Sequence, residues 1–293
     1  MKFRSVFFSL ILLLILASCS DFNKVVKGDD YARKFTLANE NFEKGMVPKM
    51  KDKIFNKKKT KEPKLRDAYL FKSITLFEQV YQRMPKTGEG ELAYFRIGKA
   101  YYHVKDYYMA GYYLGAFSQR YPYSPKAQEA LFLSAMCSVN NSPQSSLDQN
   151  DTDLAINNLQ QFINTYPESN LVDSCNNTMD RLRFKLETKD FESVQLYSKT
   201  QNYRAACTSA LNFLEDFPRS KFKEEVYYIL VINSYDLSVN SVENKKCERI
   251  EQTIERYRTF VTEFPNTVYK VAVNEISDKM HRDFEVFCKQ KIN

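Results

Sequence analysis

The sequence predicts an all-α chain, an array of about five helix pairs closed by a C-terminal capping helix. Three observations predict it. A short phrase recurs along the chain: VYQRMPKT (80–87), FSQRYPYS (117–124), FINTYPES (162–169), FLEDFPRS (213–220) and FVTEFPNT (260–267). Apolar residues between the copies fall at helical spacing. Strand signals are missing, with only seven glycines in 293 residues, no Asn-Gly turn and no alternating Val/Ile/Thr run.

The first eighteen residues read as a processing segment. Lys2 and Arg4 precede an apolar run from Val6 to Leu16, followed by small residues and Cys19. That is the plan of a secretory signal, and it is short for a membrane span. The ending Leu16-Ala17-Ser18-Cys19 resembles the lipobox of bacterial lipoproteins. The resemblance implies that Cys19 receives lipid and becomes the new N-terminus. Several acyl chains then anchor a protein stably, where one would bind only marginally. Ser20 in place of aspartate leans towards the outer membrane. The expected organisation is a signal peptide (1–18), a lipidated N-terminus and linker (19–28) and one helical domain (29–293).

The repeated phrase has a mechanical reading. A helix ends before the proline, whose ring lacks an N–H and clashes with the preceding turn. The Ser or Thr two residues later can cap the next helix. Ser124-Pro125 is the clearest case, with Pro125 suited to the first helical position. Prolines 85, 122, 167, 218 and 265 are separated by 37, 45, 51 and 47 residues. Between Glu91 and Pro122, Tyr94, Ile97, Gly98 and Tyr101 lie at helical spacing. Ala110, Leu114, Phe117 and Pro122 follow after a turn near Lys105-Asp106. This matches the tetratricopeptide pattern in spacing, with Tyr94, Ile97 and Leu114 departing in type. Gly98 and Ala110 are expected where two antiparallel helices approach most closely.

Ala155, Leu159 and Phe162 repeat the second-helix pattern, as do Ala206, Ala210 and Phe213; Thr253, Tyr257 and Phe260 hold it loosely. Extra length falls in three expected inserts, 47–66, 140–151 and 238–246, and 171–200 reads as an extended helical stretch. Val268, Ala272, Ile276, Met280, Phe284 and Cys288 form an i, i+4 stripe, expected as the buried face of a closing helix. The expected fold is therefore a tetratricopeptide-type helical solenoid.

The net charge is +7, and +5 once Lys2 and Arg4 are removed. Most of the excess sits in residues 49–64, where eight lysines face Asp52 and Glu62. Such a stretch resists packing and reads as a surface loop. The remainder is nearly neutral, which argues against a nucleic-acid face. Five cysteines follow Cys19: Cys137, Cys175, Cys207, Cys247 and Cys288. No two are spaced for zinc or redox chemistry, and all five are expected as small buried packing residues. An exported chain can form disulfides, though an odd number leaves at least one thiol out. The two histidines, His103 and His281, are far apart, and no HExxH, GxGxxG, P-loop or GxSxG motif occurs. No catalytic residue, metal ligand or cofactor is expected beyond the covalent lipid on Cys19. An extended surface that binds other chains is expected instead.

The lipobox, the repeated phrase and about five repeats together resemble the BamD-like lipoproteins of the machinery that inserts β-barrel proteins into the outer membrane. The stretches 142–152, 155–169 and 234–249 look like the Bacteroidetes-type version of that family. The resemblance implies a lipid-anchored periplasmic scaffold on the outer membrane. Its partners would be the barrel-inserting, BamA-like subunit, other machine subunits and unfolded barrel proteins. On the face lined by first helices, helical spacing places Phe95, Lys99, Tyr102, Phe132 and Met136 as a candidate client groove. An adaptor lipoprotein for cell-wall synthesis or nutrient uptake would keep the same fold. A glycan-binding lipoprotein is disfavoured by the absence of tryptophan.

Overall fold

The computed structural model describes residues 21–47 and 62–288. Cys19 and most of the lysine-rich stretch lie outside the described residues. Helix α1 covers 21–27. Five helix pairs follow: α2 (Tyr31–Met46) with α3 (Glu62–Arg83), α4 (Gly88–His103) with α5 (Tyr107–Arg120), α6 (Ala127–Asn141) with α7 (Asn150–Thr165), α8 (Val172–Lys199) with α9 (Tyr203–Asp216), and α10 (Lys223–Val239) with α11 (Glu243–Glu263). Helix α12 (Lys270–Phe287) closes the series, and no strand occurs among the described residues. Contacts run between consecutive helices from α2 to α7 and again from α9 to α12. The architecture is all-α and of the tetratricopeptide type.

Among the described residues two compact units emerge, one reaching to Pro143 and taking in Gln149–Met179, the other of Gln144–Asp148 and Asp180 onward. The boundary falls inside α8. Unit one holds two core clusters. The first gathers Leu70, Phe77, Val80 and Ile97. The second gathers Phe95, Leu114, Phe117 and Cys137. In unit two, Phe191, Val194, Phe213 and Leu230 form one cluster, and Val231, Phe260, Val273 and Met280 another.

All five copies of the repeated phrase fold alike. The apolar residue five before the proline (Val80, Phe117, Phe162, Phe213, Phe260) is at most 1% exposed. Its carbonyl accepts the N–H of the residue just before the proline at 2.8–2.9 Å, closing the helix. Four of those capping residues are Tyr121, Tyr166, Phe217 and Phe264. They share φ near −127° and ψ near 64°, and their rings lie 5.1–5.8 Å from the preceding phenylalanine. The capping carbonyl then accepts the N–H of the Ser or Thr at 3.0–3.2 Å. This is a β-turn with proline at its second position, where a fixed φ suits the turn.

The Ser and Thr do more than cap. In the last four copies the side-chain oxygen accepts a backbone N–H two residues on: Lys126, Leu171, Phe222 and Tyr269, at 2.9–3.2 Å. The helix proper begins later, α6 at Ala127 rather than at Pro125. Three hydroxyls also reach back to the preceding pair. Ser124 donates to Glu91 at 2.6 Å, Ser220 to Glu187 at 2.5 Å, and Ser169 accepts from the Gln128 amide at 2.6 Å. In the last copy the Val268 N–H donates to Glu224 instead, at 3.2 Å. Glu91, Gln128 and Glu224 each stand six residues after a repeat proline. One repeat's turn is thereby latched to the first helix of the repeat before it.

The close approach expected at Gly98 is present. A β-carbon there would lie 2.7 Å from the Leu114 side chain, and Ala110 is fully buried. Helix α8 carries the extended stretch, and a loop separates Asn141 from Asn150 as expected.

Four expectations need correction. Residues 21–27, read as linker, are helical, and Phe22, Val25 and Val26 pack on the first core cluster. The third insert nearly vanishes, because α10 runs to Val239 and α11 starts at Glu243. Val268 is 84% exposed and precedes α12, whose buried face runs through Val273, Ile276, Ser277 and Met280. Finally, Cys247 and Cys288 form a disulfide with their α-carbons 5.2 Å apart. Among the described residues, Cys137, Cys175 and Cys207 are the free cysteines, and all three are buried. Burial holds the Cys137 thiol up at about 12, so it packs as a neutral group.

Candidate functional site

The five groove residues come from α4 and α6, which touch each other. On α4, Arg96, Lys99 and His103 recur at three- and four-residue intervals and so share one side of the helix. Each cation is clamped to a neighbouring first helix. Arg96 pairs with Glu43 of α2 at 3.2 Å, donates to Asn39 at 2.5 Å and sits 4.8 Å over the Phe42 ring. Lys99 pairs with Glu129 of α6 at 2.7 Å and lies 5.4 Å from the Phe95 ring. Arg96 was not singled out from the sequence. Its signal is a cation three residues before Lys99, on the same side.

Phe95 is 4% exposed and belongs to the core, where its ring lies 5.2 Å from Phe117. It backs the Lys99 stem and does not wall an open groove. Tyr102 is half-buried, with its ring edge-on to Tyr107 at 5.6 Å. Burial chiefly raises its hydroxyl pKa, with Cys137 and Tyr107 adding and the Asn140 side chain opposing. Phe132 and Met136 are half-buried on α6, and the Phe132 ring meets Phe162 edge-on at 5.5 Å. The Met136 carbonyl accepts from Asn140 at 2.6 Å. The surface left open is thus Lys99, Tyr102, Phe132 and Met136, with Glu129 at its edge.

A second concavity, of about 360 Å³, lies on the other side of α4. Tyr94 and Ile97 form its floor, Glu78 and Tyr81 of α3 one wall, and Tyr112 and Arg120 of α5 the opposite wall. Tyr94 and Ile97 point roughly opposite to Arg96 and Lys99, as a 100° step per residue requires. The sequence shows the tyrosines but not their convergence, which needs three helices.

Among the described residues no group of His, Cys, Asp and Glu could hold a metal ion. Among them, too, no helix is long and apolar enough to cross a membrane. The site offers ion-pair exchange, ring contact and hydrogen bonding to a second chain.

A search among curated proteins finds no match. A family model described as outer membrane lipoprotein, YfiO, matches residues 50–210 and 194–282. Those stretches run from before α3 nearly to the end of α12 and take in all five copies of the repeated phrase. The chain belongs to the YfiO family of outer membrane lipoproteins.

Proposed function

We propose that this chain is the lipid-anchored scaffold subunit of the β-barrel assembly machinery, without enzymatic activity of its own. The family match over most of the chain carries the reading. Cys19 fixes the chain to the periplasmic face of the outer membrane, the early repeats receive unfolded barrel proteins, and the later repeats hold the barrel-inserting subunit. Affinity purification from membranes tests it. Recovery of the barrel-inserting subunit is the expected result; recovery of cell-wall synthases in its place would support the adaptor reading. Cys19→Ala is expected to leave a soluble or unprocessed form, read by membrane fractionation.

The groove of Lys99, Tyr102, Phe132 and Met136 suits an extended apolar segment ending in a carboxylate. Glu129 already occupies Lys99, so a client carboxylate must displace it. Glu129→Gln therefore frees the cation, and binding of a barrel C-terminal peptide is expected to tighten by a few-fold, since an exposed pair holds Lys99 by only about 0–1 kcal/mol. Crosslinking from position 102 reports the site. Labelling confined to distant repeats would move the client elsewhere.

A further inference from the structure

We propose that the tyrosine-walled cleft between α3 and α5 binds a proline-rich segment of another envelope protein, in extended polyproline form and carrying a basic residue. The cleft lies on the opposite side of α4 from the groove above and is independent of it.

Three observations carry the proposal. First, the cleft is lined by tyrosine rings, with Tyr94 buried at its floor and the Tyr112 ring 65% exposed at its edge. Tyr81 lies 4.4 Å from Tyr94, and Tyr94 is 5.2 Å from Tyr113. Exposed tyrosine rings take pyrrolidine rings, and aromatic-lined grooves are a recurring mode of polyproline recognition. Second, the cleft offers donors to the carbonyls of a ligand. Tyrosine hydroxyls, the Gln82 amide and the Arg120 guanidinium all line it. A proline-rich segment is the complementary ligand, because its carbonyls are unpaired and its prolines carry no N–H.

Third, the charges are placed for a ligand and not for each other. Glu78 accepts from the Tyr113 hydroxyl at 3.1 Å, and Arg120 bonds Tyr81 and stacks 5.2 Å from the Tyr94 ring. Neither enters an ion pair among the described residues. The Glu78 carboxylate is the complement of a basic residue in the segment. The trough does not stop at the cleft. Tyr112 is 65% exposed and Tyr108, one turn earlier on α5, is 79% exposed. A line of rings along one helix fits an elongated chain better than a compact small molecule. Tyrosine, with few rotors and a polar tip, loses little entropy on binding.

The test is fluorescence anisotropy with the detergent-solubilised full chain and a labelled synthetic proline-rich peptide carrying one arginine. A glycine-serine peptide of the same length and charge is the control. Saturable binding of the proline peptide is expected, with the control weaker by about tenfold or more, in the range that hot-spot contacts give. Tyr112→Ala, at an exposed position, is expected to weaken binding by a similar factor, and Tyr112→Phe to keep most of it. Glu78→Gln should weaken the arginine peptide while sparing a peptide with glutamine in place of arginine. Equal binding of the two backbones, no saturable binding of the proline peptide, or indifference to Tyr112→Ala would each overturn the proposal. Saturable binding of an oligosaccharide with none of the peptide would likewise assign the cleft to a different ligand and overturn it.

Discussion

At the turn between α8 and α9, Gln201 adopts φ 58°, and at the matching turn between α4 and α5, Lys105 adopts φ 66°. Left-handed backbone costs a side-chain-bearing residue about 1–2 kcal/mol. Gln201→Gly removes that cost and adds unfolded-state freedom in return, so a net gain of about 0.5 kcal/mol is expected in chemical denaturation. The hydroxyl latches predict a loss instead. Ser220 donates to the Glu187 carboxylate and accepts the Phe222 N–H. A hydrogen bond to a charged group contributes about 1.5–3 kcal/mol. Ser220→Ala should therefore destabilise by about 2 kcal/mol, while Ser220→Thr, which keeps the oxygen, should lose far less. A thermal melt of the two variants reads latch and cap together, and Glu187→Ala, which spares the Phe222 N–H bond, separates them. The capping half of this role was legible in the sequence, because a Ser or Thr beside proline is local chemistry. The latch was not, since its partner lies 33 residues upstream and is a glutamate like many others.

Elements whose definition is local read well, and those defined by distant neighbours did not. The repeated phrase folded alike five times because helix closure and the proline turn fall within eight residues, as does the ring contact that four copies share. The α12 stripe was drawn one register off at its start. Val268 has the right spacing, but Pro265 sets a β-turn whose N–H donor is Thr267, and the helix begins only at Lys270. The five groove residues lie on α4 and α6, which touch, but spacing alone could not show Phe95 turning inward against Phe117. The disulfide is the clearest case of missing information. Cys247 and Cys288 are 41 residues apart, and nothing in the chain between them states that their α-carbons come within 5.2 Å. Closing a loop of that length is expected to stabilise by about 4 kcal/mol in the chain-entropy view. The bond ties α11 to the end of α12. Cys247→Ser with Cys288→Ser should lower the denaturation midpoint and first raise hydrogen exchange in α12. Uniform exchange across unit two would instead show that α12 does not open separately.

On the scale of the whole molecule, the proposed scaffold role requires ends that stay folded while facing partners, and the closing helix is where both demands would meet. Its outward charges include Lys270, Glu275, Lys279 and Arg282, all exposed. Lys279 and Arg282 are not inert, however. Burial raises the Asp236 pKa, and Lys279 partly offsets the rise. Tyr235 donates to Asp283 at 3.1 Å with Arg282 nearby. A carboxylate whose folded pKa lies above its unfolded value favours the folded chain while protonated. Its contribution is lost as pH rises from the ordinary carboxylate value through the raised one. Asp236→Asn should therefore flatten that part of the stability profile and raise stability at neutral pH. Reversing Lys279 would set a second negative charge beside Asp236 and confuse folding with docking. Neutralisation is the cleaner experiment: Lys279→Gln with Arg282→Gln, in the Asp236→Asn background, where the offset is no longer needed. This triple variant should melt close to the Asp236→Asn variant, since the exposed charges contribute only about 0–1 kcal/mol. If it keeps its fold and loses the barrel-inserting subunit on co-purification, α12 presents the docking face. If the subunit still co-purifies, α12 acts as a polar cap, and the contact belongs to other helices of the later repeats, with α9 around Ala206–Phe213 the next to vary.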